Sequence, residues 1–178
     1  MAEEIINKVS QSTLLTLDLE AFYPTNPIRI FDLKPFLFME LILKEKDFRA
    51  ALLSADWSQY RDETVGIYCS ADAVIPVWAY MLVTSYLQPF AKDILMGDEQ
   101  AVLRQLITHR IQQLNPAEYK DKRVVVKGCG DKKIGDFAYL EITKLLRPVA
   151  KSIMYGEPCS TVPIYKAPSK AGSALPHD

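Results

Sequence analysis

Cys69, Cys129 and Cys159 are the only thiols of the chain, and each has a carboxylate close by: Asp72 in "CSAD", Asp131 in "KGCGD" and Glu157 in "GEPCSTVP". Thiolates with carboxylates suit a soft or borderline metal. The three cysteines plus one oxygen or external ligand therefore form a candidate site for zinc or an iron-sulfur cluster. Asp72, Asp131 and Glu157 would be additional ligands or would tune the site electrostatically. No CxxC pair occurs, so the thiols meet only if the fold brings distant segments together.

Other readings of the same residues stay open. A cysteine at a strand end often packs as a small hydrophobe, and an aspartate after a strand often bonds loop amides. Lys132 and Lys133, beside the amides of "GCGD", offer a small-anion site, or would favour the thiolate of a nucleophilic Cys129. The only histidines are His109, inside a predicted helix, and His177, in the tail, which leaves little for a Ser/His/Asp or Cys/His arrangement. Neither GxxxxGK[ST] nor GxGxxG is present, so nucleotide binding has no support.

The elements that must position these residues repeat. Tyr60–Asp98 lies on Tyr119–Glu157 without a gap, sharing the frame Ala-Tyr-x3-Thr-x2-Leu-x-Pro-x-Ala-Lys-x-Ile-x2-Gly from Ala79 and again from Ala138. In each copy a β-branched run, Val65–Tyr68 or Val124–Lys127, predicts a buried strand. An amphipathic segment follows, Pro76–Leu87 or Gly135–Leu146, closed by Pro89 or Pro148. A second short strand, Ile94–Met96 or Ile153–Tyr155, completes a β-α-β unit. Helices are expected at Glu45–Leu53 and Glu99–Leu114. The aromatics Trp78, Tyr80, Phe137 and Tyr139 fall at equivalent helix positions and read as packing residues.

Strands alternating with helices imply an α/β fold with a mostly parallel sheet, helices on both faces and internally duplicated β-α-β units. In one such sheet all carboxyl ends share an edge, and this is where the three thiols would converge. The N-terminal part is irregular: Leu14–Leu19 and Ile28–Phe31 read as strands around "YPTNP", with a hairpin-like edge, while "LKPFLFMELIL" fits helix or strand. Residues 1–166 are expected to form a single domain, and 167–178, rich in Pro, Ser, Ala and Gly, a mobile tail.

Composition narrows the function. With a formal charge of -1 and a pI near 6.1 there is no overall basic field for nucleic acid or an anionic membrane. The stretch 73–90 is uncharged but interrupted by prolines and polar residues, and reads as a buried helix, not a span. The acidic start "MAEEII" differs from a basic signal peptide, so a cytoplasmic location with reduced thiols is expected.

"LILKEKDFR", "DWSQYRD", "CSADAVIPVWAYM" and "SIMYGEPCSTVPIYK" together resemble the bacterial family called domain of unknown function 2480, over nearly the whole chain up to Lys166. The resemblance carries no activity, substrate or catalytic residue with it. It does bring a loose association with iron-sulfur assembly, which implies iron-sulfur assembly proteins as partners. Three classes follow: a non-enzymatic accessory protein with a metal or iron-sulfur site at Cys69, Cys129 and Cys159; an interaction module with buried cysteines that docks a partner or a second copy of itself; and a thiol-dependent enzyme using Cys69 or Cys129.

Overall fold

The computed structural model describes residues 14–128, 130–157 and 160–168. In chain order the elements are β1 (Leu14–Asp18), β2 (Ile28–Asp32), β3 (Leu37–Phe38), β4 (Ile42–Leu43), α1 (Glu45–Ser54), β5 (Thr64–Tyr68), α2 (Val77–Leu87), β6 (Asp93–Met96), α3 (Glu99–Gln112), β7 (Arg123–Lys127), α4 (Asp136–Leu146), β8 (Ser152–Glu157) and β9 (Ser160–Lys166). Short 3-10 turns lead out of β1 and β2 (Leu19–Phe22, Lys34–Phe36) and into β5 and β7 (Trp57–Tyr60, Pro116–Tyr119). The chain divides into two units: Pro24–Ile107, and Met1–Tyr23 together with Thr108–Asp178.

In the unit Pro24–Ile107 the sheet runs β2-β5-β6, all parallel, with Thr64 of β5 opposite Ile28 and Asp93. The central strand "TVGIY" is buried over its first four residues. Helix α2 sets Ala79, Val83 and Leu87 one turn apart on a fully buried stripe. The aromatic part of this core centres on Trp57, which stacks on Phe31 at 5.4 Å and on Tyr86 at 5.2 Å. Its indole N–H donates to the Leu52 carbonyl at 2.9 Å, so the one polar atom of a large buried ring is satisfied.

The other unit carries the sheet β1-β7-β8-β9. Its first three strands are parallel, and β9 runs antiparallel to β8. Val124, Val125 and Val126 of β7 are buried, and α4 buries Ala138, Ile142 and Leu146 at the spacing used by α2. The register is also the same: Arg123 of β7 lies opposite Leu14 and Ser152. Left-handed backbone recurs at Asp62 (φ 61°) and Asp121 (φ 58°), whose amides donate to the carbonyls of Phe90 and Val149. Gly97 (φ 132°) and Gly156 (φ 117°) end β6 and sit within β8 in a region that side chains rarely enter.

Local elements agree with the sequence reading to within a residue or two, but the pairing does not. The expected single sheet is three: the two above and a small antiparallel pair, β3-β4. β1 and β2 do not form a hairpin. Each joins a different sheet in parallel, because each supplies an apolar partner for one of two central strands. "LKPFLFMELIL" is a 3-10 turn followed by the β3-β4 hairpin, whose tip holds Met39 and Glu40 at φ 53° and 59°. Pro76 stands just before α2 as its cap residue and not inside it. β9 has no counterpart in the sequence reading. Among the described residues no helix is long and apolar enough to cross a membrane.

Candidate functional site

The carboxyl end of the β2-β5 pair is organised by Asp32. Its carboxylate accepts the Lys34 amide at 2.9 Å, the Ser70 amide at 3.0 Å and the Ser70 hydroxyl at 2.6 Å, stitching the exits of two strands together. Burial pushes this carboxyl up, but the Ser70 hydroxyl, the two amides and the Lys34 charge outweigh it and hold the group below its ordinary value. Cys69, immediately before Ser70, is half-buried and packs against the hydrophobic core of its unit. Tyr80 is its neighbour: burial pushes the phenol up, and the charge Cys69 can carry adds to this. Asp72 lies exposed beyond it.

The equivalent end of β1-β7 is built on Asp18. Its carboxylate accepts the Glu20 amide at 3.0 Å and pairs with the Lys127 ammonium at 3.1 Å. Burial alone would raise Asp18, and these partners with Lys132 bring it below its ordinary value. The Asp18 bond raises Lys127, and the charges of Glu157 and Glu20 add to it, so this lysine is surrounded by acids. A Cβ on Gly128 would stand 2.7 Å from the Tyr139 hydroxyl and 3.1 Å from Leu19 Cβ, so the strand exit is glycine because Tyr139 takes the space. The Glu20 carboxylate lies against Gly130. Lys132 sits over the Tyr23 ring, 5.3 Å from its centroid, while Asp131 and Lys133 are exposed.

Beside this end, an open cleft of about 320 Å³ lies between α4 and the sheet, lined by Val126, Asp136, Tyr139, Thr143, Ile153, Met154, Tyr155 and Ile164. The Tyr139 and Tyr155 rings meet edge to face at 5.6 Å. The Thr143 hydroxyl donates to the Tyr139 carbonyl at 2.6 Å, so this lining residue has its polar group satisfied within the helix. Asp136, the first residue of α4, is the one charged group among the described lining residues. Ligand sites commonly have this composition, apolar walls with few polar groups toward the carboxyl ends of parallel strands.

The sequence-predicted site residues are thus distributed over two sheets. Cys69 and Asp72 follow β5. Asp131, Lys132 and Lys133 follow β7, and Glu157 ends β8. Cys129 and Cys159 lie outside the described residues, and among the described residues no group of three His, Cys, Asp or Glu side chains could hold a metal. The premise of a single shared edge fails because the parallel strands fall in two sheets, one of them mixed. Asp18 and Asp32 were missed, although "DLEAF" and "DLKPF" share the pattern Asp-Leu-x-x-Phe. That spacing differs from the main repeat, which is why a single offset does not reveal it. Tyr139, a packing residue by its place in the repeat, also walls the cleft.

Fold and site define a two-unit α/β protein in which parallel strands end at carboxylate-capped turns and one unit carries an apolar cleft. The chain belongs to the family described as "Protein of unknown function (DUF2480)", whose profile matches residues 3–167. No curated protein and no solved structure matches.

Proposed function

We propose that this chain is a small-ligand binding protein, an accessory and not a catalyst, whose site is the cleft between α4 and the β7-β8-β9 sheet. The observation that carries this reading is the cleft's composition: among the described residues, eight line it and one of these is charged, beside the carboxyl ends of parallel strands. Ligand-observed NMR with indole and para-cresol tests it. Both should bind the wild type and be lost in Ile164→Trp, which fills the cleft from an exposed strand position. Binding that is unchanged in this variant would sink the reading.

A second reading keeps the metal or iron-sulfur site. β7 and β8 are in-register neighbours, so the segments carrying Cys129 and Cys159 leave one edge of one sheet, whereas Cys69 follows a strand of the other. The reading is therefore a metal held mainly by Cys129 and Cys159, with Glu157 or Asp131 as oxygen ligands, in a cytoplasmic protein that meets iron-sulfur assembly proteins. Elemental analysis of protein purified without oxygen should find zinc or iron that survives Cys69→Ser and disappears in Cys129→Ser and Cys159→Ser. Absence of metal, or its loss in Cys69→Ser alone, would end this reading.

The architecture behind both readings is an internal duplication. Its support is the shared register, the paired left-handed aspartates and the paired glycines of the two units.

A further inference from the structure

Resting on the cleft reading, we propose that the ligand is an organic cation, an ammonium group carried on a small apolar body. The argument is charge and ring chemistry. Asp136 is the only charged group among the described lining residues, and no other described residue hydrogen-bonds or ion-pairs with its carboxylate. It stands at the first position of an 11-residue helix, where the backbone amides of the first turn face it. Two tyrosines contribute to the same wall, and aromatic rings attract ammonium groups over their faces. An anion would meet a carboxylate there, while the nearby cation Lys127 is already held by Asp18. The chain uses such pairing elsewhere on the same sheet, where the Arg147 guanidinium lies 3.6 Å from the centroid of the Tyr165 ring.

The equivalent positions of the other unit sharpen the assignment. In the aligned frame Val77 stands for Asp136 and Met96 for Tyr155, while Tyr80 and Thr84 match Tyr139 and Thr143. The other aligned lining positions are shared or, as in Ile67 for Val126 and Leu95 for Met154, exchange one apolar residue for another; the differences at Asp136 and Tyr155 add one negative charge and one ring, the pair of features that distinguishes a cation site from a hydrophobic surface.

Choline and 3,3-dimethylbutan-1-ol have the same shape and differ in charge, so titrating each by chemical-shift perturbation separates the two levels of the argument. Choline should shift cleft resonances with at least about tenfold tighter binding than the alcohol. Asp136→Asn should weaken choline by about tenfold and leave the alcohol unchanged, and Tyr155→Leu, which keeps apolar bulk, should weaken choline several-fold. Equal binding of the two compounds, insensitive to both variants, would overturn the cation assignment and leave the cleft reading standing. No shift of cleft resonances with either compound, together with no binding of indole or para-cresol, would overturn both.

Discussion

At Asp32 one carboxylate closes the exits of two strands, and the corresponding Asp18 caps its own turn and pairs with a lysine. Replacing Asp32 with Ala removes three acceptor contacts and should cost about 1–2 kcal/mol in urea unfolding. The pH dependence has a definite sign. The native carboxyl is depressed below 3.8, so the unfolded chain takes up the proton first as pH falls. The contribution is complete above about pH 5 and is lost as pH falls through the native value. The stability gap between wild type and Asp32→Asn should therefore shrink on acidification; a gap that is constant from pH 7 to pH 3 would contradict the depressed value. Gly128→Ala pushes a methyl toward the Tyr139 hydroxyl and should cost about 1–3 kcal/mol in thermal unfolding.

Elements show the same logic over a longer range. The β3-β4 turn places two non-glycine residues in left-handed backbone, which the exposed hairpin tolerates at a cost. Glu40→Gly should relieve it and stabilise the protein by about 1 kcal/mol, measured by the urea midpoint, whereas Gly97→Ala, at φ 132°, should destabilise by about 1–3 kcal/mol. Helices α2 and α4 are held by stripes at one-turn spacing, Ala79-Val83-Leu87 and Ala138-Ile142-Leu146. β6 ends its sheet, while the matching β8 is covered by β9; accordingly Ile153 is 1% exposed and Ile94 only half-buried.

At the scale of the whole molecule, two units with the same strand register carry different surfaces: one has a cleft with a carboxylate, the other a half-buried thiol against its core. If a duplication underlies them, the buried stripes should respond alike. Leu87→Ala and Leu146→Ala, both fully buried, should each cost about 2–5 kcal/mol and agree within about 1 kcal/mol. A large disparity between them would argue against equivalent roles. The cleft and the thiols, by contrast, are where the units differ, so ligand and metal measurements should be sensitive to one unit and indifferent to the other.

The sequence by itself determined the local elements of both units. Val65–Tyr68, Pro76–Leu87 and their partners are written in β-branched runs, one-turn apolar spacing and closing prolines, all of which act over a few residues. It also carried the positions that need unusual backbone, since Gly97 and Gly156 recur in the shared frame. Only the tertiary structure decided which strands pair. β1 and β7 are far apart in the chain, and an apolar strand of five residues matches several partners equally well until turns and core volumes select one. That choice put Cys69 after a strand of the β2-β5-β6 sheet, and it assembled the cleft from α4, β7, β8 and β9, whose lining residues are unremarkable one at a time. A site made of side chains from four elements has no local signature, because its chemistry exists only once the elements have packed.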